Sequence, residues 1–201
     1  SSAASDVYKR QIKHSNVAFF IPHAGCPHQC SFCNQRSISG AASQPTAQDV
    51  RDAALVAMRS SPEGIKDGEI AFFGGSFTAI DRDYMTELLS AAQEFIGENG
   101  FRGIRISTRP DAVDGEICDI LEKYRVTAVE LGAQSTDDRV LAMNRRGHTR
   151  EDIFRSARLL KERGFETGLQ MMTGLYGSTD EDCMNTARDI ISLAPDTVRI
   201  Y

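Results

Sequence analysis

Val17-Ala18-Phe19-Phe20-Ile21-Pro22-His23-Ala24-Gly25-Cys26-Pro27-His28-Gln29-Cys30-Ser31-Phe32-Cys33-Asn34 reads as a short apolar strand that runs directly into a Gly/Pro-bearing loop carrying three thiols. Downstream the same theme recurs, with strand-like runs alternating with longer segments of helical period. After the first run, Val17 to Pro22, a helix is expected from about Thr46 to Arg59, with Thr46 and Asp49 forming a capping-box-like start. Glu69 to Phe73 precedes a helix near Arg82 to Ile96, whose Tyr84, Leu88, Ala91, Ala92 and Phe95 share one face. Ile104 to Ser107 precedes a helix near Val113 to Tyr124, and Thr127 to Leu131 precedes a short Asp137 to Met143 helix and a longer one near Arg150 to Arg163, closed by Gly164. Thr167 to Met172 gives a fifth strand, Thr179 to Leu193 a fifth helical region, and Thr197 to Tyr201 a sixth strand. Strands separated by helices call for an α/β fold with a parallel sheet and right-handed crossovers. Periodicity alone does not choose between an open doubly wound sheet and a curved partial barrel. Either way, ligands gather at the carboxyl ends of the strands.

The conspicuous residues fall there. The cysteine loop follows the first strand, Phe73-Gly74-Gly75-Ser76-Phe77-Thr78 the second, and Ser107-Thr108-Arg109-Pro110 the third. Glu130-Leu131-Gly132-Ala133-Gln134-Ser135 straddles the end of the fourth, and Met172-Thr173-Gly174 follows the fifth. Three thiolates leave one iron of a 4Fe-4S cluster without a protein ligand, a position where an outside molecule binds. Structural zinc completed by His23 or His28 offers the right atoms too. Gly74-Gly75 taken alone is compatible with an ordinary strand-to-helix turn and lacks the spacing of a dinucleotide or phosphate loop. Cys118 and Cys183 sit in helical segments and read as small buried hydrophobes. His14, His23, His28 and His148 read as solvated loop histidines, and Arg145, Arg146, His148 and Arg150 as a solvated helix end. Glu130, a charge in an apolar strand, demands a partner, either a ligand or an arginine.

With 201 residues, 41% apolar and 25% charged, the chain has ordinary globular proportions and enough length to bury a substantial core. Five cysteines, an odd number, argue for a reducing compartment and metal ligation over a disulfide framework. A net charge of −5 argues against holding nucleic acid by bulk electrostatics. No apolar run approaches the roughly 18 residues of a membrane span, so a cytoplasmic location is expected. Residues 1–11 have no starting methionine and no apolar pattern and are expected to be a non-native or disordered leader. Residues 12–201 are expected to form one core domain that stops with the sixth strand, incomplete at its C-terminus.

Cys26, Cys30, Phe32 and Cys33 match the hallmark of the radical S-adenosylmethionine (radical SAM) superfamily, three cysteines separated by three and then two residues, with an aromatic before the last. Gly74-Gly75 is similar to that family's glycine motif, whose backbone approaches the amino group of the methionine moiety. Together with Thr108-Arg109-Pro110-Asp111, Glu130 to Ser135 and Arg146-Gly147-His148, it resembles the branch containing the elongator catalytic subunit and the oxygen-independent coproporphyrinogen oxidases.

That resemblance implies a partial (βα)6 TIM-like barrel and a 4Fe-4S cluster on Cys26, Cys30 and Cys33, with S-adenosylmethionine chelating the remaining iron. It implies reductive cleavage to a 5′-deoxyadenosyl radical that abstracts hydrogen from a substrate, fed by an external electron donor of the flavodoxin or ferredoxin type. Around the cofactor, Phe32 would line the adenine, and Gly74, Gly75 and Ser76 would cradle the methionine amino group. Gln134 and Arg146 would hold the nucleoside or the carboxylate, the latter through a bidentate fork. Ser107 stands where the oxidases have a cofactor-contacting glutamate, with Glu130 one strand over as its substitute, and Met172 with Thr173 would pack against the adenine. The substrate class is an RNA base, with transfer RNA indicated by the elongator likeness, or a small molecule. The rival reading is a carrier that keeps the cluster fold and delivers a bound group such as haem.

Overall fold

The computed structural model describes residues 16–21, 26, 30–33, 43–60 and 65–201. Among them, six strands form one sheet: β1 (Val17–Ile21), β2 (Glu69–Gly74), β3 (Gly103–Thr108), β4 (Val126–Gln134), β5 (Glu166–Met171) and β6 (Thr197–Ile200). The helices between them are α1 (Ala47–Ser60), α2 (Arg82–Gln93), α3 (Gly115–Lys123), α4 (Asp138–Met143), α5 (Arg150–Glu162) and α6 (Asp180–Ser192). Every strand pair is parallel, and the order across the sheet is β1-β2-β3-β4-β5-β6. A doubly wound sheet reverses its order at a switch point, and this one never does. Right-handed crossovers in one continuous direction put every helix on the same face. The sheet is therefore a partial barrel whose edges are β1 and β6.

The two faces of the sheet have opposite chemistry. Ile70 and Phe72 of β2, Ile104 and Ile106 of β3, Val129 and Leu131 of β4, and Leu169 and Met171 of β5 point toward the helices and join one core with Val50, Met85, Leu88, Leu121, Ile153 and Leu160. The alternate positions carry charge. Glu69 is buried and accepts from Arg102 Nη2 at 2.6 Å and from Arg105 Nε at 2.5 Å, while Arg105 Nη2 reaches Glu166 at 2.6 Å. Burial disfavours the Arg105 charge, yet its bonds to Glu69 and Glu166 outweigh that cost and push its pKa up. One tier higher, buried Glu130 accepts from Arg199 Nη2 at 2.9 Å, Gln170 Nε2 at 2.7 Å and Arg105 Nη1 at 3.4 Å. Gly168 leaves room for this tier, since a Cβ there would lie 2.8 Å from Thr197 Oγ1 and 3.1 Å from Glu130 Cγ.

Most expected element boundaries hold to within a few residues, and the deviations have local causes. The expected Arg82 to Ile96 helix ends at Gln93, because Ile96 instead bridges Phe101, and the Gly97 N–H donates to the Phe101 carbonyl at 3.2 Å. The expected Val113 to Tyr124 helix starts at Gly115, where the Asp114 side chain caps the Ile117 N–H at 2.8 Å, and Pro110–Ala112 forms a separate 3-10 turn. β4 runs past Leu131 to Gln134 through an irregularity opposite β5 between Gly132 and Gln134. Residues 1–11 and His14, Pro22, His23 and His28 lie outside the described residues.

Candidate functional site

The loops at the carboxyl ends of β1 to β5 are tied to one another by polar contacts. At the end of β2, Gly74 has φ +115°, and a Cβ on it would lie 2.6 Å from the Ile21 carbonyl oxygen; the Gly75 N–H donates to that same oxygen at 3.0 Å. The glycine pair is thus demanded by close approach to the last residue of β1, just ahead of the cysteine loop. Ser76 turns inward. Its Oγ lies 2.9 Å from Thr108 Oγ1 and accepts from the Arg109 N–H at 3.2 Å, while Thr78 Oγ1 lies 2.6 Å from the same Thr108 hydroxyl. These hydroxyls bolt the β2 loop to the β3 loop. Arg109, buried beside them, grips Asp111 with Nε at 2.9 Å and Nη2 at 2.8 Å.

The cysteine loop rests on a turn more than a hundred residues away, Asn144 to His148 after α4. The Ser31 N–H donates to the Asn144 carbonyl at 3.3 Å, and Ser31 Oγ to Asn144 Oδ1 at 2.8 Å. Asn144 is fixed in turn by its own Nδ2, which donates to the carbonyls of Val140 at 2.8 Å and Tyr176 at 2.9 Å. Arg146 sends Nη1 to Cys30 Sγ at 3.3 Å and Nη2 to the Gly132 carbonyl, with its guanidinium carbon 5.8 Å from the centre of the Phe32 ring. His148 Nε2 lies 3.1 Å from the Ala133 carbonyl. Arg146 and His148 therefore hold two successive carbonyls of the β4 irregularity and present the next residue, Gln134, at φ +68°.

This corrects the expectation for the basic stretch. Arg146 and His148 are 7% and 3% exposed, so these two side chains are buried struts, whereas Arg145 and Arg150 are exposed as expected. Burial first, and then the nearby Arg146 charge, push the His148 pKa down to about 4. Burial likewise pushes the Cys26 thiol up, against the opposing pull of Arg109 and Arg146, and Cys26 also feels the charges of Cys30 and Cys33.

The remaining expected site residues are distributed as follows. Phe32 and Arg146 meet beside Cys30. Gly74, Gly75 and Ser76 line the neighbouring loop, with the Ser76 hydroxyl engaged by Thr108 and Arg109. Ser107 pairs in register with Glu130 on the polar face of the sheet, where arginines and Gln170 take up the Glu130 carboxylate. Met172 donates its N–H to the Gln134 carbonyl at 2.9 Å. Cys118 is fully buried, whereas Cys183 is half-buried with its Sγ 3.4 Å from Ser178 Oγ. Among the described residues, no three His, Cys, Asp or Glu side chains stand close enough together to hold a metal ion, Cys26, Cys30 and Cys33 included. Arg109, Asp111, Asn144 and His148 were not expected as site residues. Thr108-Arg109-Pro110-Asp111 and Arg146-Gly147-His148 are the signals the sequence offers for three of them, and both mark only a family likeness.

The radical SAM superfamily profile matches residues 20–190. The chain belongs to the radical SAM superfamily. Its cofactors are accordingly a 4Fe-4S cluster and S-adenosylmethionine. Among its relatives, it is 27% identical over 153 residues to a tRNA uridine(34) acetyltransferase of Methanocaldococcus infernus, a match covering 66% of this chain and 29% of that protein. It is 24% identical over 190 residues to the heme chaperone HemW of Lactococcus lactis, covering 94% of this chain and 49% of that one. Its fold is similar to that of the archaeal Elp3 of M. infernus, with a TM-score of 0.71 at 23% identity over 93% of this chain and 45% of that chain. The chain thus spans about half or less of the length of these proteins.

The residues present fit those cofactors. Three soft thiols on one loop suit iron, and two buried cations, Arg109 and Arg146, face the negative charge such a cluster would bring. Gln134 Oε1 and Arg146 Nε are buried without a hydrogen-bond partner among the described residues, an acceptor and a donor beside the thiol loop. Buried polar atoms of that kind are costly unless a ligand satisfies them.

Proposed function

We propose that this chain is the catalytic core of a radical SAM enzyme in which Cys26, Cys30 and Cys33 hold the cluster and the rim around Gln134 and Arg146 receives S-adenosylmethionine. The observation that carries this reading is that Arg146 meets Cys30 and Phe32 of the thiol loop while its own Nε, and Oε1 of Gln134 at the end of β4, lack partners among the described residues. When bound, the two cofactors supply a 5′-deoxyadenosyl radical by one-electron reductive cleavage of the sulfonium. The protein's part is orientation. Phe32 and the Arg146 guanidinium offer a flat aromatic and cationic surface for the nucleoside, and Gln134 offers an amide oxygen to a donor on it. The close packing of Gly74 and Gly75 on Ile21 fixes the β2 loop relative to the cysteine loop. The reading includes an external one-electron donor of the flavodoxin or ferredoxin type. It also includes a cytoplasmic setting, consistent with the finding that among the described residues no helix is long and apolar enough to cross a membrane.

Transfer RNA is the substrate class we favour, on the strength of the relatives named as tRNA uridine(34) acetyltransferases. The likeness to a heme chaperone supports a second reading, in which the cluster fold delivers haem and no radical product is released. Anaerobic reconstitution with iron and sulfide, followed by electron paramagnetic resonance of the dithionite-reduced chain with and without S-adenosylmethionine, tests the site. A reduced 4Fe-4S signal that changes on adding S-adenosylmethionine is expected. Release of 5′-deoxyadenosine stimulated by transfer RNA supports the enzyme, and stoichiometric haem binding without that release supports the carrier. A chain that takes up zinc in place of the cluster would overturn both.

A further inference from the structure

Arg146 has more to do than meet a ligand, because its guanidinium is already occupied on two sides. Nη1 donates to Cys30 Sγ at 3.3 Å, and Nη2 donates to the Gly132 carbonyl. Gly132 is small enough to admit it, since a Cβ there would stand 3.3 Å from Nη2 and 3.2 Å from Gln134 Nε2. The Phe32 ring lies within cation-π range, and the residue is only 7% exposed. A cation so placed cannot swing away from the sulfur at low cost, and burial lowers the screening between them.

We propose that Arg146 is a positioning residue that sets the reduction potential of the cluster through its N–H···S bond to Cys30. This deepens the functional reading above and rests on Cys30 being a cluster ligand. The physical cause is differential. One-electron reduction adds negative charge that is shared with the ligating sulfurs, so a charge-assisted donor on one of them stabilises the reduced form more than the oxidised form. Arg146 therefore makes the cluster easier to reduce. The separate tie between Ser31 and Asn144 positions the loop without touching a sulfur, which provides a control.

The test is a midpoint titration of the anaerobically reconstituted full chain without S-adenosylmethionine, using dithionite as the one-electron reductant and paramagnetic resonance as the readout. Arg146→Met should lower the reduced-to-oxidised ratio at a fixed potential at least tenfold, a shift of about 59 mV to more negative values for one electron. Arg146→Lys, which keeps the charge but not the fork, should fall between Arg146→Met and wild type. Asn144→Ala should stay within threefold of wild type. An Arg146→Met ratio within threefold of wild type overturns the proposal, as does an equal shift in Asn144→Ala. If Arg146→Met fails to load a cluster, the Lys variant supplies the comparison. Failure of both to load assigns Arg146 to assembly and also overturns it. A wild-type chain that holds no cluster defeats the functional reading itself, an outcome distinct from a loaded cluster with an unmoved potential.

Discussion

His148 makes the stability of this fold depend on pH in a window where few other groups titrate. A carbonyl only accepts, so His148 Nε2, 3.1 Å from the Ala133 oxygen, carries the proton in the neutral ring. Nδ1 is then an unprotonated acceptor, buried with no partner among the described residues. Protonating it would place a third cation beside Arg146 and Arg109 in a dry site, with Asp111 the acid that favours the charge. The folded pKa is pushed down to about 4, against an ordinary value of 6.5. Because the folded value lies below the unfolded one, the unfolded chain binds more protons between the two, and stability must fall as pH falls through that interval. Integrating from pH 8 to pH 5 with these two values gives a loss of about 2 kcal/mol from this one group. The assay is urea unfolding of the apoprotein at pH 8 and pH 5, comparing wild type with His148→Gln, which keeps a donor for the Ala133 carbonyl but does not titrate. Carboxylates are common to both proteins and cancel in the difference. We predict that wild type loses about 2 kcal/mol more than the variant over this interval. Parallel stability curves for the two proteins, or a wild type that gains stability on acidification, would refute the assignment of His148 as a buried neutral imidazole.

Three further outcomes are expected. Cys30→Ala should abolish cluster assembly, whereas Cys118→Ala, on the buried face of α3, should leave iron content unchanged; normal iron in the first variant would sink the metal assignment. Gly74→Ala forces a Cβ into the Ile21 carbonyl at φ +115° and should cost about 3 kcal/mol by denaturant midpoint, a figure undermined by a loss below about 1 kcal/mol. Glu69→Ala strips buried Arg105 of one carboxylate and should destabilise by about 3 kcal/mol; a variant as stable as wild type would mean that Glu130 and Glu166 fully compensate.

The architecture was legible because strand and helix leave their marks over a few neighbouring residues. Apolar runs, the Thr46 cap and the Gly164 stop are all local, and they place the six strands with small errors. Curvature was not local. Periodicity does not choose a partial barrel over a doubly wound sheet; the family resemblance did, and the unreversed strand order agrees with it. The polar face of the sheet was hidden for a related reason. Glu130 looked like a lone charge awaiting a ligand or an arginine, and the arginines that meet it come from β3 and β6, 25 and 69 residues away. Neither strand on its own says which of its faces is dry.

The site divides along the same line. The thiol spacing and the paired glycines lie within single loops and could be read directly, but the physical reason for Gly74 could not. It is required by the Ile21 carbonyl, on a strand more than fifty residues earlier, whatever a ligand also asks of it. Ser31 and Asn144 are 113 residues apart, and Cys30 and Arg146 are 116 apart. Among the described residues of the cysteine loop, Ser31 and Cys30 meet Asn144 and Arg146, so their geometry is imposed from outside the loop. The turn that imposes it also grips the Gly132 and Ala133 carbonyls, and so fixes Gln134 at the same time. One short turn thereby contacts both the Cys30 sulfur and the end of β4 that carries Gln134. A change at Arg146 should consequently shift the cluster potential and weaken nucleoside binding together, whereas a change at Phe32 or Gln134 should weaken nucleoside binding with the potential unmoved, as read by midpoint titration and by S-adenosylmethionine binding to the loaded chain.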